Sequence, residues 1–209
     1  MKKYKLTNET IVHLGFTLYR IEALMDFSDV KTGDKGGFVQ SENNLSQLGN
    51  AWVYGNAKVY GNANVNDNSE VYGDAEVYDN AEVFDYAKVY NNAKVRGNAE
   101  VYGNAEVCGD AEVYGNAKVR GDAKIYGNAE VRGDAKIYKN SDYIVFKNWW
   151  SSGRYFTWTR SNKKWKVGCF YGNGEELIKK AYADSEESGR EYERVVRYVE
   201  SILADELNK

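Results

Sequence analysis

From Val53 to Ile137 a Val or Ile stands at every sixth position without a break, and Ala precedes each by two residues except where Ser69 takes its place. A glycine or asparagine falls in nearly every helical turn of such a period, which excludes a helix. In a strand, by contrast, Ala-x-Val sends its two apolar side chains to one face and the intervening residue, mostly Glu or Lys, to the other. The Gly-Asn and Gly-Asp pairs that follow supply the positive φ of a sharp corner. A short strand and a corner every six residues wind the chain into a polygonal coil, with Val stacked on Val inside. Periodicity of this kind takes precedence over any local reading of secondary structure.

The unit Val-Tyr-Gly-Asn-Ala-Lys resembles the hexapeptide repeat of left-handed parallel β-helix proteins, in which three hexads make one triangular coil. The resemblance implies a mainly β fold, with fifteen hexads between residues 51 and 140 forming five coils, a prism of roughly 24 Å at a strand spacing of about 4.8 Å. In the family the position after the aliphatic residue is small; here it holds Tyr54, Tyr60, Tyr72, Arg96 and Arg120. Charge pairing across the coils does not choose the coil size: a spacing of 18 pairs Glu70 with Lys88 and Glu106 with Lys124, and a spacing of 12 does about as well. Both open ends need caps, because strand edges there would be unpaired.

The flanks supply them. Residues 1–50 read as an N-terminal β cap, with strands around Tyr4-Lys5-Leu6, Thr17 to Ile21 and Gly33 to Val39. Residues 141–209 read as a small α+β subdomain. Its meander covers Tyr143 to Trp150, Arg154 to Arg160 and Trp165 to Tyr171, with turns at Ser151-Ser152-Gly153 and Ser161-Asn162-Lys163. Asn173 with Glu176 forms a capping box for a first helix, and a second, after Gly189, aligns Tyr192, Val195, Val196, Val199, Ile202, Leu203 and Leu207 on one face. Lys5-Leu6-Thr7, Leu18-Tyr19-Arg20-Ile21, Gly33 to Phe38, Thr159-Arg160 and Gly168-Cys169-Phe170, taken with the hexads, resemble phage and prophage hexapeptide-repeat proteins, some labelled polymer-forming cytoskeletal-like. This implies a phage or prophage origin, and a homo-oligomer with a trimer favoured.

Composition narrows the chemistry. A net charge of -3 gives no general attraction to nucleic acid or membrane. Cys108 and Cys169 have no CxxC spacing, which fits a reducing compartment; no stretch is apolar enough for a signal or a bilayer span, and the expectation is a cytoplasmic protein, in the host cytoplasm if phage-encoded. The acyltransferases of the resembled fold place a general-base histidine between coils, and its carbonic anhydrases need three histidine ligands. His13, in the N-terminal flank, is the one histidine of this chain and reads as a turn or surface residue. The expectation is therefore no catalytic residue, metal or cofactor. Ice-binding rows of Thr are absent from the hexads, and the Tyr row is expected to shield coil edges or to form a subunit interface.

The meander is the patch richest in chemistry. Residues 141–172 carry 6 basic residues against 1 acidic, among Trp149, Trp150, Trp158 and Trp165. Interleaved aromatic and cationic side chains stack on bases and neutralise phosphates, yet the same tryptophans can form a core under the two helices. Along Arg154 to Arg160 the alternation puts Arg154, Phe156, Trp158 and Arg160 on one face and Tyr155, Thr157 and Thr159 on the other. With the threonine face buried, the first set would meet an anionic ligand; Arg120 and Arg132 of the hexads are further candidates. The expected function is non-enzymatic binding, in one version the sequestration of a nucleotide signal or another anionic small ligand, in another of a host defence protein. A degenerate acyltransferase, with Cys108 as the nucleophile candidate, and a structural solenoid polymerising end to end are the alternatives.

Overall fold

The structure is a computed structural model and describes residues 2–150 and 153–207, so Ser151 and Ser152 of the expected turn lie outside it. Three antiparallel strands open the chain, β1 (Tyr4–His13), β2 (Phe16–Ala23) and β3 (Lys35–Val39). Fifteen two-residue strands follow, one per hexad, from β4 (Trp52–Val53) to β18 (Lys136–Ile137). Each pairs in parallel with the strand 18 residues away, as Lys88 does with Glu70 on one side and Glu106 on the other. Eighteen residues per turn means three faces, and a twelve-residue turn is excluded. All the repeat Val and Ile side chains, and all the repeat Ala, are fully buried in one continuous core. Ser69 fits among the alanines because its hydroxyl donates to the Asn66 and Val83 carbonyls.

The solenoid starts earlier than the hexads do. Val39 pairs with Val59 and Leu45 bridges to Val65, a spacing of 20 rather than 18, so part of the expected cap is itself a turn and the solenoid has about six. Val39 and Leu45 keep the six-residue step; two extra residues between Leu45 and Val53 hide the register.

Every turn donates its strand N–H groups toward the C-terminal end, as Lys58 does to the Ala75 carbonyl and Tyr60 to that of Val77. The N-terminal end is thus left with bare carbonyls and the C-terminal end with bare N–H groups, each expensive if buried unpaired. The caps answer with opposite chemistry. At the N-terminal end donors arrive: the Tyr4 hydroxyl to Leu45 O at 2.7 Å, Asn44 Nδ2 to Ala63 O at 2.8 Å and Lys3 Nζ to Ala51 O at 2.8 Å. At the other end acceptors arrive, one on each face: Asn140 Oδ1 for the Lys124 amide at 2.8 Å, Thr157 Oγ1 for Glu130 at 2.9 Å and Ser161 Oγ for Lys136 at 2.7 Å.

The C-terminal subdomain is an antiparallel sheet of β19 (Tyr143–Lys147), β20 (Tyr155–Thr159), β21 (Lys164–Val167) and β22 (Phe170–Gly172), followed by α1 (Gly174–Asp184) and α2 (Glu186–Leu207). Asn173 and Glu176 form the capping box of α1. Gly189 lies inside α2 rather than before it, and its lack of a side chain makes room for the Tyr182 ring of α1, which a Cβ there would meet at 2.2 Å. No described helix is long and apolar enough to cross a membrane.

Candidate functional site

The sheet β19–β22 lies between the last turn of the solenoid and the two helices, and this placement decides what its side chains can do. On β20 the alternation holds, but neither face is open. Thr157 and Thr159 are buried toward the solenoid, where Thr157 caps Glu130. On β21, Lys166 Nζ pairs with the Glu130 carboxylate at 2.8 Å. Phe156 and Trp158, 0% and 3% exposed, pack with Trp165, Val167, Leu177 and Val196 against the helices. The expectation that this pair is presented to a ligand is therefore corrected: helix burial encloses Phe156 outright and leaves only an edge of Trp158 beside α2, and solenoid capping claims the other face.

The six candidate residues do not converge. Arg154 is exposed, its side chain beside Gly168. Arg160 reaches α2, where its Nη1 and Nη2 meet Glu206 at 2.6 and 3.2 Å, and the Glu206 carboxylate raises its pKa further. Arg120 lies over the Tyr138 ring, 4.1 Å from its centroid, on one corner of the prism. Arg132 lies on another corner, between Tyr114 at 5.4 Å and Tyr171 at 5.1 Å. Both hexad arginines belong to outer rows that stack turn upon turn. Tyr60–Tyr78, Tyr72–Tyr90 and Phe84–Tyr102 are stacked at 5.0, 4.8 and 4.7 Å, the spacing of the strands beneath them. The Tyr row thus shields the coil edges, as one of the two expectations had it.

One grouping does bring cations and aromatic surface to a concavity. Trp158, Lys163 and Leu203 line two adjoining cavities of about 280 and about 330 Å³. The first continues to Trp165 and to Gly174 at the start of α1; the second opens on Arg160 and Glu206. Lys163 stands in the β20–β21 turn at φ +53°. Sequence reading had placed Lys163 in a turn and Leu203 on the apolar face of α2. It missed Glu206, three residues after Leu203 and so its neighbour on the helix surface.

His13 is neither a bare turn residue nor near this groove. It ends β1 with Nε2 3.0 Å from Glu76 Oε2, its ring edge-on to Tyr60, and Tyr60 donates to the same carboxylate at 2.9 Å. The contact ties the β1–β2 hairpin to the solenoid flank. Cys108 occupies the outer position between Tyr90 and Tyr126 in the same row, partly exposed.

Fold and caps together define the class: a three-sided parallel β-solenoid closed at both ends, with an α+β subdomain on its C-terminal end. The chain matches no protein-family model and no curated protein.

Proposed function

We propose that the chain is a non-enzymatic binding protein of phage or prophage origin, acting in the host cytoplasm, which takes an anionic ligand of the nucleotide class in the groove between β20, β21 and the end of α2. The observation that carries this is the Arg160–Glu206 pair at the groove mouth: two guanidinium donors meet two carboxylate oxygens there. The fork is thus presented to a two-oxygen acceptor, the geometry a phosphate also offers. Lys163 adds a second cation, and Trp158 with Leu203 forms an apolar wall. A phosphate would displace Glu206 from Arg160.

Calorimetric titration with mononucleotides and cyclic dinucleotides tests it. Glu206→Gln, which removes the competing carboxylate, should tighten binding, and Arg160→Ala should abolish it while the solenoid melt stays within a few degrees. Absence of heat with every nucleotide, in the wild type and in Glu206→Gln alike, defeats the reading.

A second reading, capture of a host protein, rests on the β1–β2 hairpin tip, where Val12 and Leu14 are 78% and 74% exposed and Phe16 is exposed beside them. Contiguous apolar exposure of this kind suits a protein contact better than a small anion. A partner held by the wild type and by Arg160→Ala, but lost from a Val12→Ser/Leu14→Ser variant, would favour it.

A further inference from the structure

One face of the solenoid carries its charges sorted by sign. Its outward residues, one per turn, are Asn64, Glu82, Glu100, Lys118 and Lys136, stacked in that order. Glu82 therefore lies directly against Glu100, and Lys118 against Lys136. Like charges at directly opposed positions are unfavourable. Lys118 pairs with Glu100 at 2.7 Å across the middle, whereas Glu82 and Lys136, both exposed, form no ion pair among the described residues. The corners lean the same way by a smaller margin: Asp67, Asp79 and Asp85 against Arg96 beside the acidic half, and Arg120, Arg132 and Lys139 against Asp122 and Asp134 beside the basic half.

The other two faces do not do this. One alternates as Glu70, Lys88, Glu106 and Lys124, and its charges pair internally, Lys88 with Glu70 and Lys124 with Glu106. The other spends Glu76, Glu112 and Glu130 on His13, Arg96 and Lys166.

We propose that the sorted face is a self-association surface that docks a second copy of this chain in antiparallel orientation, about a two-fold axis parallel to the strands and passing between Glu100 and Lys118. Turning the order minus, minus, plus, plus end over end yields its complement. Glu82 then faces the partner's Lys136, and Glu100 faces the partner's Lys118, each contact occurring twice as an isologous interface requires. A parallel arrangement would set Glu against Glu at the same height. The axis also keeps each corner row opposite itself, so that Tyr102 meets the partner's Arg120, the same cation-on-ring contact that Arg120 makes with Tyr138 within the chain.

A face about 24 Å tall and most of a hexad wide, about 17 Å at about 3.3 Å per residue, offers roughly 400 Å² per subunit, about half of what a standard interface buries on each side. The dimer is accordingly weak and governed by charge, a surface for concentrating or pairing the protein rather than an obligate contact. It is independent of the ligand reading, since the groove lies beyond the end of the solenoid.

Sedimentation equilibrium on the full chain tests this. The wild type should form dimers at low ionic strength, with a dissociation constant rising at least about tenfold at high salt. A Lys118→Glu/Lys136→Glu variant, acidic throughout, and a Glu82→Lys/Glu100→Lys variant, basic throughout, should each be monomeric, and an equimolar mixture of the two should dimerise. Circular dichroism melts establish that both variants are folded. A third variant, Glu82→Gln/Lys136→Gln, leaves the internal Lys118–Glu100 pair intact and should weaken the dimer without affecting the fold. Wild-type protein that stays monomeric at low salt, that forms a trimer, or whose two charge variants fail to pair when mixed, overturns the proposal.

Discussion

The amide of Glu130 donates to the Thr157 hydroxyl at 2.9 Å, so a side chain of the C-terminal sheet closes a hydrogen bond that the next turn of a longer solenoid would have closed. Thr157→Val keeps the shape and deletes the acceptor. The variant should lose about 1–3 kcal/mol of stability, the desolvation penalty of a buried unpaired donor. Thr157→Ser should restore most of it. Denaturant unfolding of the three proteins side by side measures both effects.

At the opposite end Lys3 is buried with its ammonium on the Ala51 carbonyl, and burial pulls its pKa down from 10.5 to about 8. Between those two values the unfolded chain holds the proton that the folded protein has lost, so stability attributable to Lys3 rises with pH across this window. The stability of the wild type relative to Lys3→Met should therefore increase from pH 8 to pH 10. A flat or falling difference in chemical denaturation would contradict the burial of Lys3.

Tyr114 behaves with the opposite sign. Burial, and then the Glu130 carboxylate it donates to at 3.0 Å, hold its phenol above the ordinary value of 10.0. A group with a raised folded pKa contributes stability that is complete below the unfolded value and is lost as pH climbs beyond it. Wild type should exceed Tyr114→Phe in stability at neutral pH, and the advantage should shrink above pH 10. Absorbance titration of the tyrosinates, followed together with the unfolding transition, checks it.

Gly103 and Gly127 sit in identical Tyr-Gly-Asn-Ala settings with φ of +72° and +66°, yet they have different neighbours. A Cβ at Gly103 would stand 2.9 Å from the Gly121 nitrogen of the next turn, and one at Gly127 would meet nothing within 4 Å. Gly127→Ala should cost only the left-handed penalty of about 1–2 kcal/mol. Gly103→Ala should cost at least twice as much, because backbone must move. Melting temperatures of the pair give the comparison directly.

A period of six with Ala-x-Val decides the solenoid by itself, since two-residue alternation leaves one inward face and Gly-Asn or Gly-Asp supplies the corner; the capping box at Asn173 and Glu176 is equally local. Three faces rather than two came only from which strands pair, because Glu70 lies as favourably 12 as 18 residues from a lysine. The early turn at Val39 and Leu45 was hidden by two inserted residues. On β20 the alternation of Phe156 and Trp158 with Thr157 and Thr159 was legible, but strand parity tells which residues share a face and nothing about what covers it. The helices cover one face and the solenoid end the other, so that Arg160, read as a candidate for ligand contact, meets Glu206 from 46 residues away. Contacts at that separation depend on how elements pack, and no local pattern encodes them.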